Sequence, residues 1–195
     1  SLADADESMD TKLFPSRSFD IYYSKPFFIG TNFSINPGLG FSSDKLSFTN
    51  DVILSEVLDD DGINQIIVDS LSFSPLKNSL KSTHLIIPID FKYYFGSGDF
   101  DKGRFFVGIG AEIGFLINSS TKVKQKVNNV MNHSKIKKDF GLNDLKYGFS
   151  LQVGSGNFNI FYKLYLSNLF KDDSLPLYTS LNPTLNKFGI SFSVF

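Results

Sequence analysis

The feature of this chain that most constrains its fold is a strict alternation of apolar with small or polar side chains along several long segments. In residues 105–117 every odd position is apolar, whereas the even positions include three glycines and Glu112. Because successive side chains of a strand point to opposite faces, this alternation predicts a β-strand with one apolar face. The same alternation occurs in residues 83–95, 145–153, 158–166 and 188–194.

Composition and strand length favour a membrane barrel. The 195 residues include 22 Phe and 8 Tyr, which favour strands, and only three Ala, the strongest helix former. Several predicted strands have 11 to 15 residues, whereas soluble sheets use about 5–6 and a bilayer crossing takes about 9–11. The second face is rich in Gly, Ser and Asn, which suit the crowded interior of a narrow barrel. We therefore expect the apolar face to contact lipid.

The connections alternate between short and long from residue 83 onward, as in outer-membrane barrels with short periplasmic turns and long outer loops. Tight turns are predicted at Ser43–Asp44 and 154–157, and outer loops at 59–80, 119–141 and 171–184, with residues 63–73 as a β extension. The fold class is thus an all-β, eight-stranded antiparallel up-and-down transmembrane β-barrel. Its strands are expected near 16–24, 27–42, 45–58, 81–95, 104–118, 142–154, 157–170 and 185–195. Residues 1–15 are expected to form a periplasmic tail, and residues 16–195 the barrel domain.

Three segments resemble a known family. Residues 83–95 (THLIIPIDFKYYF) resemble the Tyr-Leu-x-Ile-Pro-Leu-x-x-Lys-Tyr signature of the PorT-type outer-membrane β-barrel proteins of Bacteroidetes. Residues 105–116 resemble the next strand of that family, and residues 147–170, which include FYKLYLSNLF, resemble its sixth and seventh strands. The resemblance implies an eight-stranded barrel in the cell outer membrane with both termini in the periplasm. It implies no enzymatic activity, and some family members are linked to protein secretion and gliding.

Several classes of function are excluded or disfavoured. The formal net charge of −1 argues against a nucleic-acid partner. With no Cys and only two His, neither a zinc site nor another metal site or cofactor is expected. The run from Asp59 to Gly62 lacks the alternating ligands of a calcium loop and is predicted to be a solvated turn. No stretch is apolar enough for a transmembrane helix, and the acidic start shows no secretory signal, so we expect a mature exported chain.

Six polar residues are predicted to face the lumen and to form a polar network. Opposite charges packed inside a narrow barrel would neutralise one another and fill it, although a polar pathway or ligand pocket is the alternative. His84 is also expected at the outer rim of the lumen, near Ser82 or Asp90. The six residues are Asp90, Lys92, Glu112, Lys146, Gln152 and Lys163.

The predicted outer loop 119–141 is strongly basic, with a single acid, Asp139. Such a loop would stay solvated and could contact lipid phosphates, lipopolysaccharide or an acidic protein. The spacing of Val123, Val127, Val130 and Met131 predicts a short helix within it. Its lysines are Lys122, Lys124, Lys126, Lys135, Lys137 and Lys138.

These features predict a small integral outer-membrane barrel that is not an enzyme. Because a filled barrel transports little, we expect a structural or accessory role as a subunit or partner of a larger secretion or nutrient-uptake complex. Two alternatives stay open. One is a soluble lipocalin-like barrel that binds a small apolar ligand, and the other is a lipid-modifying outer-membrane enzyme that acts through His84.

Overall fold

The structure is a computed structural model that describes residues 2–3, 11–12, 16–48, 52–58, 64–70, 77–98, 103–127, 130–138, 140–171 and 182–193. Its regular elements within these ranges are all β-strands, and no helix there is long and apolar enough to cross a membrane. The strands are β1 (Leu2–Ala3), β2 (Arg17–Ser24), β3 (Phe27–Ile29), β4 (Phe33–Ser47), β5 (Val52–Leu58), β6 (Asn64–Ser70), β7 (Lys77–Tyr94), β8 (Phe105–Val127), β9 (Val130–Ile136), β10 (Leu145–Ser155), β11 (Phe158–Asn168) and β12 (Thr184–Phe192).

Ten of these strands form one curled antiparallel sheet. Eight lie along its path in the order β1-β12-β11-β10-β8-β7-β4-β2, while β3 pairs with β4 and β9 pairs with β8. Apart from β1, the path follows the order of the chain, since each strand pairs with the next through an antiparallel register. Strands β5 and β6 form a separate hairpin. The predicted all-β antiparallel up-and-down barrel is confirmed.

The two faces of this sheet differ as the alternation predicts. On β10 every odd residue from Leu145 to Ser155 is exposed and every even residue is buried. The exposed set is apolar, with Phe149 and Leu151 each 60% exposed, and the buried set includes Ser150 and Gln152. The apolar face is therefore outside and the small polar face lines the lumen. This orientation is the reverse of a lipocalin, whose apolar face lines the interior.

The outer end of the lumen, where the long connections lie, is closed by an apolar cap. Phe48, Phe140 and Phe170 are each at most 3% exposed and pack with leucines from the outer ends of four strands or their flanks. Dense apolar packing excludes water, so this cap seals the lumen from above. The leucines are Leu46, Leu80, Leu142 and Leu185.

The opposite end carries the short turns, and Arg104 joins two of them. Its guanidinium donates hydrogen bonds to the carbonyl of Thr31 at 2.7 Å and to that of Gly96 at 2.5 Å. It also donates to the carbonyls of Tyr94, Phe95 and Gly98. A single buried cation thus bonds carbonyl groups of both turns, and Asn32 Nδ2 also donates to the carbonyls of Tyr94 and Gly96.

The sheet leaves a seam between β2 and β12. Six antiparallel pairings connect β2 to β12 through the sheet, so these two strands point in the same direction. Both run from the outer end of the barrel to the end that carries the short turns. A cavity of about 720 Å³ lies between them, and Lys163 and Lys187 reach across it to Asp20. Strand β1 occupies only the outer end of the free edge of β12, where Leu2 faces Leu185.

The predicted tight turn at Ser43–Asp44 is wrong. Both residues lie within β4, and the turn that precedes this strand is at residues 30–32, where Gly30 has φ of +62°. The Asn36-Pro37-Gly38 sequence, which is typical of a turn, is a continuous part of β4, since its register with β7 does not change there. The predicted strand 27–42 is divided between β3 and β4, and the predicted strand 45–58 is divided between the end of β4 and β5.

The predicted outer loop 119–141 is also wrong as a loop, and so is its helix. Strand β8 continues to Val127, and β9 pairs back on it through Val127 and Val130. The apolar spacing that predicts a helix is overridden because β8 already has a hydrogen-bonding edge to extend. Strand β6 (Asn64–Ser70) lies within the predicted extension 63–73, and β5 pairs with it rather than with the barrel.

Other predictions fall outside the described residues. These are the Asp59–Gly62 turn, most of the loop 171–184, and the last two residues of the predicted strand 185–195. Of the predicted tail 1–15 the structure describes Leu2, Ala3, Thr11 and Lys12, and its boundary at residue 15 stays a prediction.

Candidate functional site: the polar lumen

The outer part of the lumen is organised around Asp44. Its two carboxylate oxygens contact Lys187 Nζ at 2.5 Å and Lys146 Nζ at 3.0 Å. The carboxylate is 2% exposed, so its charge is compensated by lysines rather than by water. His84 Nδ1 is 3.9 Å from Asp44 Oδ2, which is too long for a hydrogen bond.

The middle of the lumen holds a second cluster. Lys163 Nζ donates to Glu112 Oε2 at 2.7 Å and to Asp20 Oδ2 at 2.9 Å. The hydroxyl of Tyr165 donates to the other oxygen of Glu112 at 2.6 Å. Lys187 Nζ lies 3.4 Å from Asp20 Oδ1, and through this contact the two clusters are joined. Residues from β2, β8, β11 and β12 therefore meet in one network.

The part of the lumen nearest the turns is held mainly by neutral groups. Gln152 Nε2 donates to Asp90 Oδ1 at 2.6 Å, and Asn159 Nδ2 donates to Gln152 Oε1 at 3.4 Å. Lys92 Nζ lies 4.6 Å from the centre of the Phe106 ring, within cation–π range. All of these residues are buried or largely covered by the barrel wall.

The charges along the lumen balance. Four carboxylates face four lysines across the three layers. This arrangement has the features of a neutral plug. The carboxylates belong to Asp20, Asp44, Asp90 and Glu112, and the lysines are Lys92, Lys146, Lys163 and Lys187.

Lumen glycines on β8 make room for these side chains. A Cβ atom at Gly110 would overlap both the carboxylate of Asp90 and the hydroxyl of Ser150. At Gly108 the contacts would be less severe than at Gly110, since a Cβ atom would lie 3.2 Å from both the Lys92 side chain and the Phe91 carbonyl oxygen. The sequence alternation of glycine with apolar residues on β8 is therefore a requirement of the lumen packing.

We expect Gly110→Val to destabilise the barrel by about 1–3 kcal/mol, because overpacking would displace the Asp90–Gln152 hydrogen bond. The measurement is the urea midpoint of the heat-modifiable band on gels. Gly108→Ala is the matched control on the same face and should cost clearly less. Equal midpoints for wild type and Gly110→Val would contradict the packing described here.

The structure places the six predicted lumen residues on the lumen side of the barrel and joins five of them, all except Lys92, to the two clusters or to each other by hydrogen bonds. Lys146 contacts Asp44, Lys163 contacts Glu112, and Gln152 contacts Asp90. Sequence analysis missed Asp20, Asp44, Lys187 and Tyr165. The alternation along β11 and β12 already places Tyr165 and Lys187 on the lumen face, so both could have been predicted. Asp44 could not, because the sequence analysis placed it in a turn.

No group of three or more His, Cys, Asp and Glu residues that could hold a metal occurs among the described residues. Of the six predicted loop lysines, the structure places Lys122, Lys124 and Lys126 on β8 and Lys135 on β9. Lys137 and Lys138 follow β9 directly, and both are exposed. These lysines thus belong to a sheet extension rather than to the lumen.

An antiparallel barrel with an apolar outer wall and a polar, filled interior is an integral outer-membrane barrel. In agreement with this class, the chain belongs to the outer membrane protein beta-barrel domain family, whose family model matches residues 5–186. No curated protein and no solved structure matches the chain. The family places the protein in the outer membrane, with the long connections at the outer side.

Proposed function

We propose that this protein is a non-enzymatic accessory barrel of the outer membrane, which serves as a subunit or partner of a larger secretion or nutrient-uptake complex. The observation that carries the proposal is the filled lumen. A barrel of about eight strands has an interior that side chains can occupy completely. Here the ion-pair network and the apolar cap occupy the interior beside the cavity along the seam between β2 and β12, so we assign the role to the outer wall and to the outer extensions.

The resemblance to the PorT-type proteins of Bacteroidetes supports an accessory role in particular. That resemblance rests on the segments 83–95, 105–116 and 147–170, which form the central strands of the barrel wall. An exported mature chain, with its signal removed, fits the same proposal. The protein partner would bind at the outer extensions or on the exposed apolar wall, where large aromatic side chains are available for packing.

A lipid-modifying enzyme acting through His84 is less well supported. The imidazole is only 6% exposed and lies beneath the apolar cap. A general base must come within hydrogen-bond reach of the proton that it removes, and lipid acyl chains outside the wall do not reach this position. The nearest acid is Asp44, which two lysines already neutralise.

We expect the refolded protein to show no step conductance in planar lipid bilayers, at either polarity, because the apolar cap and the ion-pair network lie across the lumen. The measurement is single-channel recording in concentrated KCl, with a sixteen-stranded porin as the instrument control. Reproducible conductance steps from wild type would contradict a filled lumen and would favour a polar pathway instead.

The complex itself is tested by native gel electrophoresis of membranes solubilised in a mild detergent. The accessory proposal predicts that the protein from native membranes migrates in an assembly much larger than the refolded chain, and that purification in a harsh detergent releases it. Migration of the native protein at the position of the refolded chain would overturn the proposal.

A further inference from the structure

A sheet extension rises above the membrane wall on the outer side. We call it the basic arm and define it as residues 77–81 of β7, 119–127 of β8 and 130–138 on and after β9. Strand β8 has 23 residues, about twice the number that crosses a bilayer. The arm is therefore built from the outer ends of wall strands, which continue past a β-bulge at Thr83–His84 as a paired sheet rather than as a loop.

The arm contains eight lysines and no acid. They are Lys77, Lys81, Lys122, Lys124, Lys126, Lys135, Lys137 and Lys138. The side chains of Lys81, Lys122, Lys135 and Lys137 are exposed, and within the described part of the chain none of these four forms an ion pair. This charge is concentrated, because the chain as a whole has a net charge of −1.

The strand register places these lysines opposite one another. Lys122 of β8 faces Lys135 of β9, and Lys124 of β8 faces Lys77 of β7. Residues directly opposite in an antiparallel pair have Cα atoms about 4.5–5.5 Å apart, and like charges there are destabilising. An anion between two such opposed lysines would remove this repulsion, and the Cα register brings two lysine pairs together in this way.

The distance of the basic arm from the membrane indicates which kind of anion it meets. Ile117 of β8 is apolar and 55% exposed, and Lys122 follows five residues later. At about 3.3 Å per residue and a strand tilt of about 40°, Lys122 lies about 12 Å above the edge of the hydrocarbon layer. A lysine side chain that bends toward the membrane covers about half of this distance. The phosphates of outer-leaflet lipid headgroups are the anions found at this level.

We propose that the basic arm is a binding site for the phosphate groups of outer-leaflet glycolipids, with Lys122, Lys124, Lys135 and Lys137 as its ligands. This proposal goes beyond the accessory role and does not require a protein partner. The segment 51–70 of the same chain is an alternative binding partner for the lysines of the arm, because it contains six acids and no Lys or Arg. The hairpin of β5 and β6 in that segment approaches β7 and β8, so it must be tested as an alternative neutralising partner.

The experiment is a calorimetric titration of the refolded protein, in neutral detergent, with diphosphorylated lipid A. Each lysine near an anionic surface contributes a factor of about five in affinity. We therefore expect the quadruple variant K122Q/K124Q/K135Q/K137Q to bind lipid A at least about a hundredfold more weakly. The matched variant with arginine at the same four positions keeps the charges and should bind within about threefold of wild type. Lipid A with its phosphates removed should not bind.

Heat-modifiable gel mobility of each variant confirms that it is folded, since the arm lies outside the membrane-spanning wall. Unchanged binding by the glutamine variant, or equal binding of phosphorylated and dephosphorylated lipid, would overturn the proposal. A third variant, E56Q/D59N/D60N/D61N, tests the acidic segment. If it strengthens lipid A binding or leaves it unchanged, the proposal stands. If it lowers stability as much as the glutamine variant does, and the two effects are not additive, the arm is neutralised by its own chain and the proposal fails.

Discussion

Replacing Asp44 with alanine is expected to lower the free energy of unfolding by about 3–5 kcal/mol. The variant would leave Lys146 in the lumen with no carboxylate within 4 Å among the described residues, while Lys187 would retain only Asp20 at 3.4 Å. A buried cation without its partner keeps the full cost of its lost hydration. The measurement is equilibrium unfolding in urea, in lipid vesicles, followed by heat-modifiable gel mobility because the chain has no Trp.

A double-mutant cycle supplies the control for this prediction. Asp44→Asn and Lys146→Met each break the pair, and the double variant removes both charges while nearly preserving side-chain volume. We expect the double variant to be more stable than the sum of the single effects predicts, with a coupling of about 1–3 kcal/mol. An Asp44→Ala variant that unfolds within about 0.5 kcal/mol of wild type would show that water reaches the network. The lumen would then not be a plug.

Placing a lysine at Leu151 is expected to cost about 2–4 kcal/mol, because the outward side chain at the middle of β10 would carry a charge into the hydrocarbon layer. Leu151 is 60% exposed and lies opposite Ile109 and Tyr162, which are also exposed. The same urea titration in vesicles measures the loss. No lumen contact is altered by this change, so a loss of stability reports on the lipid environment alone.

The matched control for Leu151→Lys is Leu145→Lys, at the outer end of the same face of the same strand. Near the interface a lysine costs only about 0–1 kcal/mol, since its ammonium group reaches water. A large difference between the two variants therefore measures depth in the membrane. Equal effects of the two changes would argue against a membrane crossing by β10, and a stabilising effect of both would indicate that this face contacts water.

The substitutions at Asp44 and Leu151 measure two different contributions to stability: the interactions inside the barrel and the insertion of the barrel into the membrane. The first concerns buried charge pairs in the lumen, and the second concerns transfer of the outer wall into lipid. The proposed accessory role requires both, because only a stable barrel held in the membrane would present its functional surfaces outside the lumen. The lipid A titration addresses those outside surfaces directly and is independent of the other two measurements.

Much of the barrel wall could be predicted, because the face of the sheet to which a strand residue points depends only on the local backbone geometry. The strands β10 and β11 lie close to the predicted 142–154 and 157–170, and the alternation along β8 places Glu112 in the lumen as expected. A period of two residues follows from backbone geometry alone, so a clear apolar alternation defines both the strand and its orientation. The tight turn at 156–157 was marked by Gly156, whose φ is +56°.

The early strands were harder because their local signals conflict with their tertiary pairing. The Asn36-Pro37-Gly38 sequence is typical of a turn, yet β4 continues through it with an unchanged register to β7. Pairing on a long neighbouring strand outweighs the local preference. The same reason explains the basic arm, where the apolar spacing around Val127 predicts a helix but the free edge of β8 recruits β9 as a strand.

The sequence by itself determined the fold class, the membrane environment and which side chains of each regular strand face the lumen, since these depend on composition and on a period of two residues. Only the tertiary structure decided which charges meet. Asp20 and Lys163 are 143 positions apart, and their 2.9 Å contact depends on the curl of the whole sheet. The register between distant strands likewise sets Lys122 against Lys135 and brings Arg104 to both turns. Such contacts arise from closure and register, which no local pattern encodes.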